Sequence, residues 1–81
     1  MNKKIDNYTK EVWELDTKVF NATEALRKTL INLKIIATES SKKEEISAFA
    51  DFLAVAISNI QDSTFKIKEI VKNIAEENKN D

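Results

Sequence analysis

Apolar side chains recur at alternating steps of three and four residues along most of this chain. The first stripe begins at Ile5 and ends at Ile36, and the second begins at Ile46 and ends at Ile74. Because residues three and four apart share one face of an α-helix, each stripe predicts a long amphipathic helix whose seven-residue repeat favours a left-handed supercoil. The stripes are Ile5, Tyr8, Val12, Leu15, Val19, Ala22, Leu26, Thr29, Leu33 and Ile36, then Ile46, Phe49, Leu53, Ala56, Ile60, Ser63, Ile67, Ile70 and Ile74.

The polar segment at 38–45 separates the two stripes and is the place where a turn fits. Within it, Ser41 is followed three residues later by Glu44, a capping-box spacing that favours the start of the second helix near Lys42. The predicted boundaries are helix 1 at about 3–38, a turn at about 39–41, helix 2 at about 42–77 and a frayed polar tail at about 78–81.

Two helices of equal length joined by a short turn predict an antiparallel helical hairpin in which the stripes face each other. The chain has 81 residues and contains neither Gly nor Pro, so it has few means of making further tight turns. The predicted fold class is therefore all-α, with residues 1–81 forming one domain.

A second arrangement has four shorter helices. Asn21 with Glu24 could cap a new helix, and the segment at 62–64 could do the same. The seven-residue phase continues through both places without a slip, which favours the hairpin.

A single hairpin is expected to leave apolar surface uncovered. Nine of the ten residues at 48–57 are apolar, Asp51 being the exception, and a helix that is apolar nearly all round is covered on more than one side. A second copy would cover it, so that two hairpins form a homodimeric four-helix bundle. The alternative cover is a different protein.

The candidate protein-binding residues are the large or unusual side chains outside the stripes. Trp13 and Phe20 lie seven residues apart in helix 1, and aromatic side chains are common at binding hot spots. In helix 2 the candidates are Phe52 and Val55 together with the acid in the apolar run, Asp51, and an aromatic residue on the outer face, Phe65.

Catalysis and metal binding are not expected. Without Cys or His there is no thiol nucleophile, no disulfide, and no zinc or haem site of the ordinary kind. The clustered carboxylates Glu11, Glu14 and Asp16 are expected on a solvated face with nearby lysines. We predict no catalytic, cofactor-binding or metal-binding residues.

Charge and hydropathy restrict the partners and the location. With 13 Lys and Arg against 14 Asp and Glu, the chain has no basic stripe of the kind that binds nucleic acid. No stretch predicts a membrane span or a signal peptide, so a cytoplasmic location is expected. The preference for Lys over Arg, with many Ile and Asn residues, indicates AT-rich coding in a bacterium or phage.

The predicted function is a small non-enzymatic protein–protein interaction module that regulates, inhibits or chaperones a partner as a homo-oligomeric helical bundle. The alternative is a nucleic-acid-associated dimeric regulator, whose binding would weaken steeply with salt.

Overall fold

The computed structural model describes residues 2–79, which form two long antiparallel α-helices. Helix α1 spans Asn2–Ile36 and helix α2 spans Lys43–Lys79, with a single 3₁₀ turn at Ala37–Glu39 between them. The predicted all-α helical hairpin is confirmed. Both helices continue without a break through Asn21 and Asp62, so the arrangement of four shorter helices is wrong.

The serine that caps α2 is not the one that the sequence predicts. Ser40 adopts an extended backbone conformation, with φ −86° and ψ 149°, and its N–H donates to the carbonyl of Ala37 at 2.9 Å. Its hydroxyl oxygen accepts the backbone N–H of Lys42 at 3.0 Å, which is the bond of an N-cap. The cap is therefore Ser40 rather than Ser41, since the chain must leave the helical conformation before α2 can begin.

The helix ends shift accordingly. The 3₁₀ turn replaces the last two residues predicted for helix 1, and α2 begins one residue later than expected. At the other end α2 continues to Lys79, so the predicted frayed tail overlaps the helix, and residues 80–81 of that tail lie outside the described residues.

The hairpin is thin and elongated. Its extents are 63 × 14 × 11 Å and its radius of gyration is 18.4 Å, against about 12 Å for a compact domain of this length. Within the described residues, four apolar side chains are buried: Leu30, Ala37, Ala50 and Ile57. Two helices in one layer bury side chains only along the line where they meet, so the core is small.

The line of contact between the helices, which we call the seam, is not formed by the two predicted stripes. Its residues are mostly small or polar, and they are buried or half-buried. The first stripe contributes only Ile5, Val12 and Val19 to it. The other members are Thr9, Asp16, Thr23 and Leu30 in α1, Ala37 in the 3₁₀ turn, and Ser47, Ala50, Ala54, Ile57, Gln61, Thr64, Lys68, Val71 and Ala75 in α2.

The expectation that the stripes face each other is therefore wrong for most of their length. Leu15, Leu33, Leu53 and Ile67 are exposed, although each belongs to a stripe. Small residues such as Ala50 at the seam allow the two backbones to approach closely, which turns the larger aliphatic side chains away from the line of contact.

Candidate protein-binding surfaces

Contacts between the helices show which surfaces share one side of the seam. Lys34 Nζ lies 2.8 Å from Asp51 Oδ1, and Arg27 Nη2 donates to Ser58 Oγ at 3.3 Å. Each of these residues follows a seam residue by four places. In an antiparallel pair, residues at this position lie on one common side. We call this side the flank; it comprises Trp13, Phe20, Arg27 and Lys34 in α1, and Asp51, Ser58, Phe65 and Lys72 in α2.

The opposite side of the seam carries a surface that we call the apolar face. One residue before each of Thr9, Asp16, Thr23, Leu30 and Ala37, and one before each of Ser47, Ala54, Gln61, Lys68 and Ala75, the side chains share this side. Apart from Thr29 they are aliphatic or aromatic, as are the adjacent Leu26, Leu33, Phe49 and Ile70, and nearly all are exposed. The apolar face consists of Tyr8, Leu15, Ala22, Leu26, Leu33 and Ile36 in α1, and Ile46, Phe49, Leu53, Ile60, Ile67, Ile70 and Ile74 in α2.

The apolar face therefore contains most of the two predicted stripes, turned to the same side of the hairpin. Ile36 is 77% exposed and Phe49 is 70% exposed. Contiguous apolar patches of this length mark binding surfaces in soluble proteins, because water-exposed hydrocarbon is costly and prone to aggregate. It contains more residues than the flank, and the sequence predicts most of them in the interior.

Three predicted aromatic candidates meet on the flank. Phe20 and Phe65 line one groove of about 230 Å³ between the helices, together with Asp16, Gln61 and Asp62.

Trp13 joins the same surface through a lysine of the seam. Lys68 Nζ lies 4.6 Å from the centre of the Trp13 ring and 4.9 Å from that of Phe65, distances at which a cation is attracted to the ring faces. The structure thus brings Phe65 of α2 together with Trp13 and Phe20 of α1, whereas the sequence relates only Trp13 to Phe20.

Two further candidates are Lys68, which the sequence does not single out, and Asp16, which it predicts on a solvated face. Lys68 Nζ is 3.2 Å from Asp16 Oδ2, and each side chain is only 17% exposed. The expectation of a fully solvated face is therefore wrong for Asp16. Asp16 lies seven residues from both Thr9 and Thr23, but the predicted stripe contains none of the three, so only the structure identifies this series as the seam.

Asp51 lies on the flank but closer to the turn than the aromatic residues. Its pair with Lys34 joins the two helices, and the Asp51 side chain remains 69% exposed. Exposed pairs of this kind contribute about 0–1 kcal/mol. In the single hairpin Asp51 is therefore a solvent-exposed acid with a basic neighbour, and it would already have a partner if an interface covered it.

Phe52 and Val55 lie on the outer surface of α2, away from the aromatic part of the flank. They are 72% and 62% exposed. On α1, Ile31 and Ile35 are also exposed near the turn, so this end of the hairpin is apolar over more than one face. The six predicted candidates therefore divide into four on the flank and two on this outer surface.

A polar network crosses the seam near its middle. Gln61 Nε2 donates to Thr23 Oγ1 at 2.8 Å and to Glu24 Oε2 at 2.9 Å, while Arg27 Nε donates to the same carboxylate oxygen at 3.1 Å. The hydrogen bond from Gln61, followed by that from Arg27, holds the pKa of Glu24 below its usual value of 4.5. The negative charge of Glu24 is therefore favoured in the folded hairpin.

This lowered pKa predicts a loss of stability in acid. Because the folded state binds the Glu24 proton more weakly than the unfolded chain, its contribution is complete above about pH 4.5 and is lost as the pH falls through the folded value. We expect Glu24→Gln to lose less stability than the natural chain between about pH 6 and about pH 3, as measured by urea denaturation. Glu11→Gln, at an exposed position of α1, is the control, and equal acid sensitivity of all three proteins would contradict the role of Glu24.

The described residues show neither a metal cluster nor a membrane-spanning helix. Across residues 2–79, the Asp and Glu side chains form no group that could hold a metal ion. Over the same range neither helix has a stretch that is long and apolar enough to cross a bilayer. Comparison of the chain with protein-family models, curated proteins and solved structures finds no match.

Proposed function

We propose that this chain is a small, non-enzymatic protein-binding module that acts in the cytoplasm as a homo-oligomeric helical bundle. The observation that carries the proposal is the apolar face, which both helices build and a single hairpin leaves exposed. Its mode of action is the packing of preformed helix faces against helices of another chain, by which it regulates, inhibits or chaperones that chain.

The exposed area supports this proposal. The hairpin exposes 6474 Å² of surface, whereas a compact monomer of this mass exposes about 5,000 Å². The excess of about 1,500 Å² is larger than the roughly 800 Å² that each partner buries in a standard protein–protein interface. A chain that exposes this much surface, with large apolar side chains among it, is suited to association.

Two surfaces remain available to a different protein. The aromatic residues of the flank form a patch in which Lys68 lies against the rings of Trp13 and Phe65, and aromatic side chains dominate binding energy at many interfaces. Phe52 and Val55 provide a second exposed apolar area near the turn. Both lie outside the apolar face, so the module can associate with itself and bind another protein at the same time.

Solution mass tests the homo-oligomeric part of the proposal. We expect light scattering after size exclusion to give at least twice the 9.3 kDa chain mass. A monomer with a cooperative thermal transition that does not depend on protein concentration would contradict it.

Affinity capture tests binding to a different protein. A partner retained by the natural chain should be lost, at least tenfold, from the double variant Trp13→Ala with Phe20→Ala, because both side chains lie on the flank. Equal retention by both proteins would exclude the flank as the binding surface. Retention on DNA that weakens steeply with salt would instead favour the nucleic-acid alternative.

A further inference from the structure

We infer that the apolar face binds a second copy of this chain, related by two-fold symmetry, so that two hairpins stack as the two layers of a four-helix bundle. This inference rests on the proposed homo-oligomeric function and adds the surface and its occupant. The flank and the outer surface near Phe52 then remain outside the interface.

The dimensions of the apolar face favour a second hairpin over a single foreign helix. The face extends from Tyr8 to Ile36 along α1, about 40 Å at 1.5 Å per residue, and over the same length from Ile46 to Ile74 along α2. Phe49 and Ile70 lie farther from the seam than Leu53, at the outer edge of the face. One helix lying between α1 and α2 would leave these edge residues in water, whereas a layer of two helices covers them.

The area also matches a stable dimer. Each copy exposes about 1,500 Å² more than a compact monomer of its mass, and covering that excess on two copies would bury about 3,000 Å², within the range of obligate homodimers. Such interfaces resemble a domain core cut in half, which is the composition of the apolar face. A two-fold axis brings the same surface of each copy together, so an aliphatic face meets an aliphatic face.

The polar residues within the apolar face do not oppose burial. Thr29 lies between Leu26 and Leu33, and its hydroxyl donates to the carbonyl of Ala25 at 3.0 Å within α1. A hydroxyl whose hydrogen bond is already made inside its own helix can be covered at little cost. No side chain assigned to the face carries a charge, so a second copy meets no like charge at its centre.

A conservative pair of cysteine variants distinguishes the two sides of the hairpin. The chain has no natural Cys, so Ser63→Cys, beside the apolar face, and Ser58→Cys, on the flank, each introduce a single thiol. In a lone hairpin Ser63 is exposed and Ser58 is half-buried, so Ser63→Cys would react faster with a maleimide. The dimer reverses this order, and we expect Ser63→Cys to react at least tenfold more slowly than Ser58→Cys.

A pair of adjacent substitutions tests the energetics. Leu53 belongs to the apolar face, while Phe52 lies on the outer surface and is the more exposed of the two. We expect Leu53→Glu to raise the dissociation constant of the dimer at least 100-fold, as measured by sedimentation equilibrium, and Phe52→Glu to change it less than threefold. An equal or reversed effect would overturn the assignment of the face.

The outcomes separate this inference from the proposed function. A natural chain that is monomeric at every concentration would contradict both the homo-oligomeric function and the inference. A natural chain that is dimeric, with Ser63→Cys still reacting faster than Ser58→Cys, would overturn the inference alone. Since the thiol variants replace one small residue by another, their result holds even if Leu53→Glu fails to fold.

Discussion

Ile57→Ala is expected to lower the free energy of unfolding by about 3 kcal/mol, the largest loss that we predict for a single side chain. Ile57 is 2% exposed and packs with Leu30 and Ala50 in the small buried core of the seam. Removing its three terminal carbons loses their transfer from water and leaves a cavity, because two helices held along their length cannot collapse locally to fill it.

Val55→Ala is the matched control for this prediction. Val55 lies two residues earlier in α2 and is 62% exposed, so its truncation should cost less than about 0.5 kcal/mol. Urea denaturation of both variants at one fixed protein concentration measures the difference, since the stability of an associating protein depends on concentration. Similar losses for Ile57→Ala and Val55→Ala would show that the described seam is not the core of the hairpin.

Asp16→Ala is expected to destabilise the hairpin by about 2 kcal/mol, between the values typical of exposed and fully buried ion pairs. The change leaves the ammonium of Lys68 largely covered, between the rings of Trp13 and Phe65, without the carboxylate that lies 3.2 Å from it. The loss of stability comes from leaving one charge without water and without its partner. Removing both charges together would cost much less.

A double substitution tests this explanation. Asp16→Leu combined with Lys68→Met removes both charges and keeps the seam filled, so it should recover most of the stability lost in Asp16→Ala. Lys34→Met breaks the exposed pair with Asp51 and serves as the control, with an expected cost of about 0.5 kcal/mol. If Asp16→Ala and Lys34→Met lowered the free energy of unfolding equally, the Asp16–Lys68 pair would be no more important to stability than an exposed pair.

Much of the fold could be predicted from the sequence. The steps of three and four from Ile5 to Ile36 and from Ile46 to Ile74 predict two long helices, because this spacing matches the helical repeat. The turn between them is also predicted, since it is the polar break. The capping residue differs by one position from the predicted one, because Ser40 and Ser41 are equally suitable by type and only the backbone conformation selects between them.

The candidate surfaces could be predicted only in part. Residue type alone indicates Trp13, Phe20 and Phe65 as candidates. Their proximity in space depends on how far α2 is shifted along α1, which the spacing of residues within one helix does not determine. Lys68 lies against the rings of Trp13 and Phe65, but the sequence does not indicate this, because a lysine in a mixed-charge segment is ordinarily solvated. The exposure of Leu53 could not be predicted, since an apolar stripe can pack against the other helix of the hairpin or against a second chain.

The seven-residue repeat by itself determines which side chains share one face of each helix, since that depends only on the helical geometry of a single segment. The direction in which each face points is decided by the tertiary structure, because it depends on both helices at once. Small residues such as Ala50 and Ala54 let the backbones approach, and the polar contacts of Asp16 with Lys68 and of Thr23 with Gln61 join them there. The bulkier aliphatic stripes are thereby turned outward, to the side where a second chain can cover them.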